Sequence, residues 1–192
     1  STKKVYLGLI RVEDGQIKAP AYENLVETEM TYGVPVYLGE SEVAVYGQDD
    51  TVTGTESIRW DRYDVSGTSP THIQKSPGVG VPDYTALSAT LAGNRVVPCI
   101  ITEDGQVRAA VRDVGSVIIH SGSGAQAVAC CTGGDGHVHV VYTVSSGGSY
   151  AVQAAELAVG DGLTLLGTAT LLNATSVRGV AAVNANGTAV AL

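Results

Sequence analysis

Two histidines separated by one residue are the side chains best suited to bind a metal ion. His137 and His139 lie in the segment ACCTGGDGHVHVVYTV, residues 129–144, and side chains two positions apart on a strand project from the same face. Asp135, in the preceding glycine-rich turn, could help to hold the ion. Zinc sites use three or four ligands, and the spacing identifies no further one. The segment therefore favours a β-hairpin without a cofactor, and a metal site at His137 and His139 is the alternative hypothesis.

A short aromatic and charged segment is the best candidate for binding a sugar. Arg59, Trp60, Asp61 and Tyr63 place an indole and a phenol beside ionic groups. Aromatic rings can stack on a sugar face while the ions hold its hydroxyls. However, Trp60 is the only tryptophan in a chain without phenylalanine, so it is also suited to fill a hydrophobic core. The composition favours the core interpretation over glycan binding.

The sequence contains no recognisable catalytic set. Carboxylates occur in close pairs, such as Glu40 and Glu42, but sequence proximity does not place two carboxyl groups across a sugar cleft. The Ser-x-Asp-x-Gly-x-x-Trp signature of sialidase propellers has no match. Cys99, Cys130 and Cys131 are an odd number without spaced pairs, which is typical of reduced thiols. We therefore expect a protein that is not an enzyme.

Charge and hydropathy exclude several classes of partner. The 192 residues carry a formal net charge of −8, and this charge repels the phosphate backbone of nucleic acids. No apolar run approaches the ~18 residues of a membrane span, and the first residues lack the apolar stretch of a signal peptide. These features predict a soluble protein that does not bind nucleic acid and has no membrane span, and that is cytoplasmic unless it belongs to a virion.

A repeated Glu-Asp-Gly-Gln motif marks two tight hairpins. Residues 9–19 read LIRVEDGQIKA, and residues 99–109 read CIITEDGQVRA. Asp-Gly between two strand-like runs is a strong hairpin signal, because glycine adopts the positive φ that such turns require. Each copy therefore predicts a pair of antiparallel strands.

The C-terminal half reads as an antiparallel meander that starts again near its end. Glycine- and serine-rich turns separate four expected strands over residues 127–132, 137–144, 150–158 and 163–172. Residues 180–192 repeat the opening hairpin. Four strands in a repeat of about 50 residues are typical of a β-propeller blade. We predict an all-β fold of antiparallel, propeller-blade-like meanders that forms an incomplete ring or a fragment of one.

Successive side chains along the expected strand at residues 137–144 point to opposite faces of the sheet. Val138, Val140 and Tyr142 share the side expected to form the core. His137 and His139 share the other side with Val141, which we expect to meet solvent. Upstream, we expect a tyrosine-rich β domain or attachment region over residues 1–82, with one short helix at 21–30, followed by the meander region over 83–192.

The pattern VACCTGGDGHVHVVYTVSSGGSYAVQAAEL of residues 128–157, with its restart at 180–192, resembles the repeating propeller or β-meander segments of tail and fibre proteins of tailed bacteriophages. The resemblance implies a virion structural or adaptor protein, located in the virion, that assembles with other virion proteins and with copies of itself. It also implies contact with a host glycan. The alternatives are a glycan-binding or sialidase-like propeller fragment, and a cytoplasmic β protein that binds a metal through His137 and His139.

Overall fold

The computed structural model describes residues 5–8, 11–14, 16–18, 26–28, 30–49, 57–75 and 79–191. These residues form antiparallel strands joined by turns and loops, with no helix among them. The expected all-β, antiparallel fold class is confirmed. In the described part of the chain, no helix could cross a membrane. Internal contacts divide the chain into two compact units, Ser1–Gly80 and Val81–Leu192.

The N-terminal unit contains the strands β1 (Val5–Leu7), β2 (Arg11–Glu13), β3 (Gln16–Lys18), β4 (Val26–Thr28), β5 (Met30–Gly39), β6 (Glu42–Asp49), β7 (Ser57–Asp64), β8 (Thr71–Lys75) and β9 (Val79–Gly80). Strands β5, β6, β7 and β8 are neighbours in that order, and β9 also pairs with β7. Val45 and Tyr63 are buried on one face of this sheet, where Leu7 of β1 and Val43 of β6 pack against them. These side chains form the core of the unit.

The helix expected over residues 21–30 is not formed by the described residues of that segment. Val26–Thr28 is strand β4, which pairs with β1 through Val5↔Thr28 and Leu7↔Val26, and Met30 begins β5. Residues 21–25 and 29 lie outside the described part of the chain. Valine and threonine are branched at Cβ and favour strands, and pairing with β1 satisfies their backbone groups. The helix prediction is therefore wrong for residues 26–28 and 30.

The C-terminal unit contains two four-stranded meanders and a further hairpin. The first meander comprises β10 (Tyr84–Ala92), β11 (Arg95–Thr102), β12 (Val107–Val111) and β13 (Gly115–His120). The second comprises β14 (Ala125–Thr132), β15 (Val138–Ser146), β16 (Ser149–Val159) and β17 (Leu163–Ala174). The hairpin comprises β18 (Ala182–Ala185) and β19 (Thr188–Ala191). The second meander and the hairpin match the strands and the restart predicted from the glycine-rich turns.

Both Glu-Asp-Gly-Gln motifs form the expected hairpins. Strand β2 pairs with β3, and β11 pairs with β12. In the second copy the amide of Gly105 donates to the Thr102 carbonyl over 2.9 Å, and Gly105 adopts a φ of +82°. A side chain at that φ would be strained, so glycine is required there.

The core of the C-terminal unit lies between the two meanders. Val138, Val140 and Tyr142 of β15 are buried against residues of β11 and β12, as predicted. The other face of β15 is less open than expected, because Val141 and Thr143 are also buried there. Strand β15 lies in the middle of its sheet, between β14 and β16, and β18 of the following hairpin contacts both β14 and β15. The expectation of a solvent-facing histidine side is therefore wrong for Val141 and only partly right for His139, which is half-buried.

Successive meanders contact each other through their first strands. The Thr132 hydroxyl, at the end of β14, donates to the Leu91 carbonyl of β10 over 2.7 Å. In the next repeat, the side-chain amide of Asn184 on β18 donates to the Thr132 carbonyl. The same kind of contact therefore links β10 to β14 and β14 to β18. Open antiparallel sheets linked in this order form a propeller-like, unclosed arrangement.

Candidate functional site

The turn between β14 and β15 brings one histidine and two carboxylates together. Asp135 lies in the turn, His139 lies on β15, and Glu156 lies directly opposite His139 on β16. Each can offer one ligand atom, and the three atoms all lie within 4.8 Å of one another. We refer to Asp135, His139 and Glu156 as the turn cluster. It is the strongest candidate site for chemistry in the described residues.

His137 contacts both carboxylates of the turn cluster. Its Nδ1 lies 2.6 Å from Oε1 of Glu156 and 3.4 Å from Oδ2 of Asp135. An ionised carboxylate can only accept a hydrogen bond, so Nδ1–H of His137 is the donor and Oε1 of Glu156 is the acceptor. His139 approaches from the other side, with Nε2 3.8 Å from Oδ1 of Asp135. Asp135 therefore lies between the two imidazoles.

These contacts shift the acid–base behaviour of the cluster. The hydrogen bond with Glu156 raises the pKa of His137, the charges of Asp135 and Glu156 act in the same direction, and desolvation opposes them. The pKa of Asp135 is lowered, mainly because the backbone amide of His137 donates to its carboxylate over 3.0 Å. The site therefore favours an ionised Asp135, and it stabilises the proton that His137 shares with Glu156.

Gly133 leaves the space that the cluster occupies. A Cβ atom at Gly133 would lie 2.6 Å from Nε2 of His139 and 2.7 Å from Oδ1 of Asp135. These distances are far below normal carbon contacts, so any larger residue would push both ligand atoms away. The turn is closed by the Gly133 amide, which donates to the His137 carbonyl over 2.8 Å. The glycine is thus needed for space beside two polar side chains.

A cleft of about 390 Å³ adjoins the cluster. Asp135, Gly136 and His137 line one side of the cleft, and residues 92–95 and 158–159 line the rest. Its rim includes Arg95, which donates to the Gly160 carbonyl. Asp135 and His137 line this cleft, whereas His139 and Glu156 do not, so a water molecule or small ligand can reach the cluster from the Asp135 side.

The sequence predicted part of this site. It named His137, His139 and Asp135, and the structure brings all three to the same turn, where each lies close to the carboxylate of Glu156. Glu156 was missed because it lies in another strand. The signal that could have found it was the meander itself, since pairing β15 with β16 across the serine- and glycine-rich turn places Glu156 opposite His139.

The candidate sugar-binding segment is divided between two faces of β7. Arg59, Asp61 and Tyr63 are buried on one face, where Nε and Nη2 of Arg59 contact Oδ1 and Oδ2 of Asp61 over 3.2 and 3.0 Å. The ring of Tyr63 meets His72 edge-on, with centroids 5.3 Å apart. These three residues therefore serve the interior of the N-terminal unit and present little surface to a ligand.

Trp60 lies on the opposite face of β7. Its ring stacks on Tyr46 of β6, with centroids 6.3 Å apart and planes inclined by 28°. Arg62 follows on the same face and forms an ion pair with Glu42. Trp60 is half-buried, so its ring keeps some accessible surface. The structure therefore groups Trp60 with Tyr46, Arg62 and Glu42, and separates it from Arg59, Asp61 and Tyr63.

Comparison with known proteins assigns the chain to no family. No family model matches it, and no curated protein is significantly similar to it. Its function is therefore inferred from the contacts, burial and charges of the described residues, and from the resemblance of residues 128–157 and 180–192 to repeats of bacteriophage tail and fibre proteins.

Proposed function

We propose that this protein is a non-enzymatic structural protein that assembles with copies of itself, as a tail or fibre component of a tailed-bacteriophage virion. The observation that carries the assembly is strand β17. Its sequence LTLLGTATLLNA contains no charged residue, and Leu166, Leu171 and Leu172 are 49, 52 and 56% exposed. Three leucines on one strand, each about half exposed, are typical of an interface.

Strand β17 also presents a hydrogen-bonding edge. Within the described residues it pairs with β16 alone. Natural edge strands are usually protected by charges, prolines, bulges or short length. Strand β17 is 12 residues long and has neither charge nor proline; its only such feature is two register shifts in its pairing with β16. Such an edge can pair with a strand from another chain. The added strand would form hydrogen bonds with the open backbone groups of β17, and its chain would cover the exposed leucines.

We propose a second copy of this chain as the occupant of β17. Within the C-terminal unit, successive sheets already pack on each other, with contacts between β10 and β14 and between β14 and β18. Thr132 of β14 receives Asn184 of the next hairpin, and β17 belongs to the same sheet as β14. Most assemblies of soluble proteins are symmetric and built from identical chains. The other proposed partners are the virion proteins that the resemblance to tail and fibre repeats implies.

Light scattering after size exclusion tests the assembly. We expect a mass that is a multiple of the 19.6 kDa chain at high concentration. The double variant Leu171→Thr/Leu172→Thr keeps strand propensity and removes apolar surface, so it should give the mass of one chain. Ile73→Thr, on an exposed position of β8, is the matched control and should keep the multimer. A wild-type monomer at all concentrations, or a double variant that assembles normally, would contradict the proposal.

The bacteriophage assignment is supported by the resemblance of residues 128–157 and 180–192 to tail and fibre repeats. It is tested separately from assembly. Purified particles of the phage that encodes the chain should contain its peptides by mass spectrometry at a constant ratio to the major tail protein. A preparation of intact particles without these peptides contradicts the virion location and leaves self-assembly untouched.

Glycan binding at Trp60 is a second candidate function. The observation that favours it is the half-buried Trp60 ring beside Tyr46, with the Arg62–Glu42 ion pair on the same face. Arg62 also keeps its Nε buried without a hydrogen-bond partner. In this interpretation Trp60→Ala abolishes a signal on a glycan array and leaves the melting temperature nearly unchanged. A wild-type chain without any array signal excludes this function.

A further inference from the structure

We infer that Asp135, His139 and Glu156 form a zinc-binding site, with a water molecule from the adjoining cleft as the fourth ligand. A set of one imidazole and two carboxylates suits a first-row transition metal with mixed nitrogen and oxygen ligands. Catalytic-type zinc sites commonly combine three protein ligands with one open position. The 390 Å³ cleft is lined by Asp135 and by His137, the neighbour of the other two ligands, so water can reach the ion from the Asp135 side.

The present geometry requires only side-chain movement to close around the ion. Zinc bonds of about 2.0–2.2 Å place two ligands of a tetrahedral site about 3.3 Å apart, and the ligand atoms of the turn cluster lie within 4.8 Å. Asp135 and Glu156 are 50% and 40% exposed, so their carboxylates have room to adjust while they keep the hydrogen bonds from His137. His139 and Glu156 are directly paired on β15 and β16, so their side chains are neighbours on one face of the sheet.

His137 acts as a positioning residue for this site. Its hydrogen bond of 2.6 Å holds the Glu156 carboxylate, in the way that outer hydrogen-bond partners orient the ligands of metal centres. The ion binds between Asp135 and Glu156 on the side of His139, and Nδ1 of His137 continues to donate to Oε1 of Glu156. The two histidines of the motif therefore have different roles.

Gly133 leaves room for two of the proposed ligands. Glycine at this position leaves room for Nε2 of His139 and Oδ1 of Asp135 on the same side of the turn, and a Cβ atom would lie within 2.7 Å of both atoms. The φ of Gly133 is not positive, so backbone strain does not explain the glycine. The space it leaves serves the two ligand atoms.

Zinc at this site would also stabilise the contact with the last hairpin. The amide of Gly134, next to Gly133, donates to the Gly187 carbonyl over 2.8 Å. An ion that fixes Asp135 against β15 and β16 orders the turn that carries this hydrogen bond. Metal binding should therefore protect the amide of Gly134 from hydrogen exchange.

Calorimetric titration of the metal-stripped, full chain with zinc chloride tests the inference. We expect one zinc ion per chain, with no comparable binding of magnesium or calcium. Asp135→Asn, His139→Gln and Glu156→Gln should each weaken binding by more than about 100-fold, and His137→Gln should weaken it by about 10–100-fold. Gly133→Ala should also weaken binding, since the new Cβ displaces Nε2 of His139. His72→Gln is the matched control and should bind zinc like the wild type.

Nitrogen-15 spectra of the wild-type protein test the site without any substitution, so a misfolded variant cannot be mistaken for a lost ligand. In nitrogen-15 spectra of the wild-type imidazoles, zinc should shift Nε2 of His139 strongly and leave the Nε2 of His72 in place. Absence of zinc binding, equal affinity in the wild type and His139→Gln, or an unchanged His139 Nε2 signal would each overturn the site.

Discussion

The hydroxyl of Thr132 donates a 2.7 Å hydrogen bond to the backbone carbonyl of Leu91, which joins the first strands of two successive meanders. The same hydroxyl lies 3.1 Å from Oγ1 of Thr90. One repeat later, Asn184 donates to the carbonyl of Thr132 itself. A polar side chain on β14 and another on β18 thus each donate to the backbone of the first strand of the preceding sheet. The same contact recurs between successive propeller-like sheets.

Replacing Thr132 by valine should lower the free energy of unfolding by about 1 kcal/mol. Valine keeps the shape of threonine but removes one hydrogen bond to a carbonyl, and such a bond contributes roughly 0.5–1.5 kcal/mol. Urea unfolding followed by circular dichroism measures the change. Thr164→Val, at an exposed position of β17, is the control and should alter stability by less than about 0.5 kcal/mol. Equal effects of the two substitutions contradict the assigned role of Thr132.

Ile101 and Ile118 should respond very differently to the same substitution. Ile101 is fully buried between the two meanders, whereas Ile118 on β13 is 44% exposed. Ile101→Ala removes buried methyl groups and leaves a cavity, which costs about 2–5 kcal/mol. Ile118→Ala should cost much less, because its side chain already meets water. Chemical unfolding of both variants distinguishes the described core from an alternative register, in which Ile118 would be the more sensitive position.

Asp61→Asn should destabilise the N-terminal unit by roughly 3–5 kcal/mol, because it breaks a buried ion pair while the Arg59 guanidinium stays inside. The side chains of Arg59 and Asp61 are only 2% and 4% exposed. Glu42→Gln, at the part-exposed pair with Arg62, is the matched control and should cost below about 1 kcal/mol. Fluorescence of Trp60, the only tryptophan, reports the unfolding of this unit. A small effect of Asp61→Asn would show that its carboxylate is not buried.

Stability should fall as the pH rises above 9, in part because of Cys99. Its hydrogen bond with Cys130, followed by burial, raises the pKa of the Cys99 thiol well above the ordinary value of 9.0. A raised pKa means that the folded state holds the proton more tightly than the unfolded state. The contribution is therefore present below pH 9 and is lost as the pH rises through the folded-state pKa.

The variant Cys99→Ala checks this pH dependence. It should be less stable than the wild type at neutral pH, because it leaves a small cavity, but it should lose less stability between about pH 8 and about pH 10. Urea midpoints at both pH values give the two differences. An identical loss in the wild type and the variant would show that Cys99 does not titrate with unfolding.

The strands of the second meander were predictable because the signals are local. Glycines such as Gly136, with a φ of +80°, mark the turns, and alternation along β15 identifies Val138, Val140 and Tyr142 as core residues. The position of Glu156 was not predictable from local signals, since it depends on which strand pairs with β15 and in which register.

The division of the candidate sugar-binding residues between two faces of β7 was predictable from the sequence. Alternation along a strand already separates Trp60 from Arg59, Asp61 and Tyr63, so the four residues could not line one sugar site. What alternation cannot show is that Arg59 and Asp61 pair with each other in the interior. Two charged residues at positions i and i+2 usually mark a solvent-facing side. Their burial depends on packing contributed by other strands.

Hydrogen exchange along β17 tests the proposed assembly most directly. Peptides that cover residues 163–174 should exchange more slowly at high protein concentration than after dilution, because a second copy covers the leucines and the open edge of the strand. Peptides of β15, buried within one chain, should exchange equally slowly at both concentrations. Exchange of residues 163–174 that is independent of concentration would contradict assembly through β17.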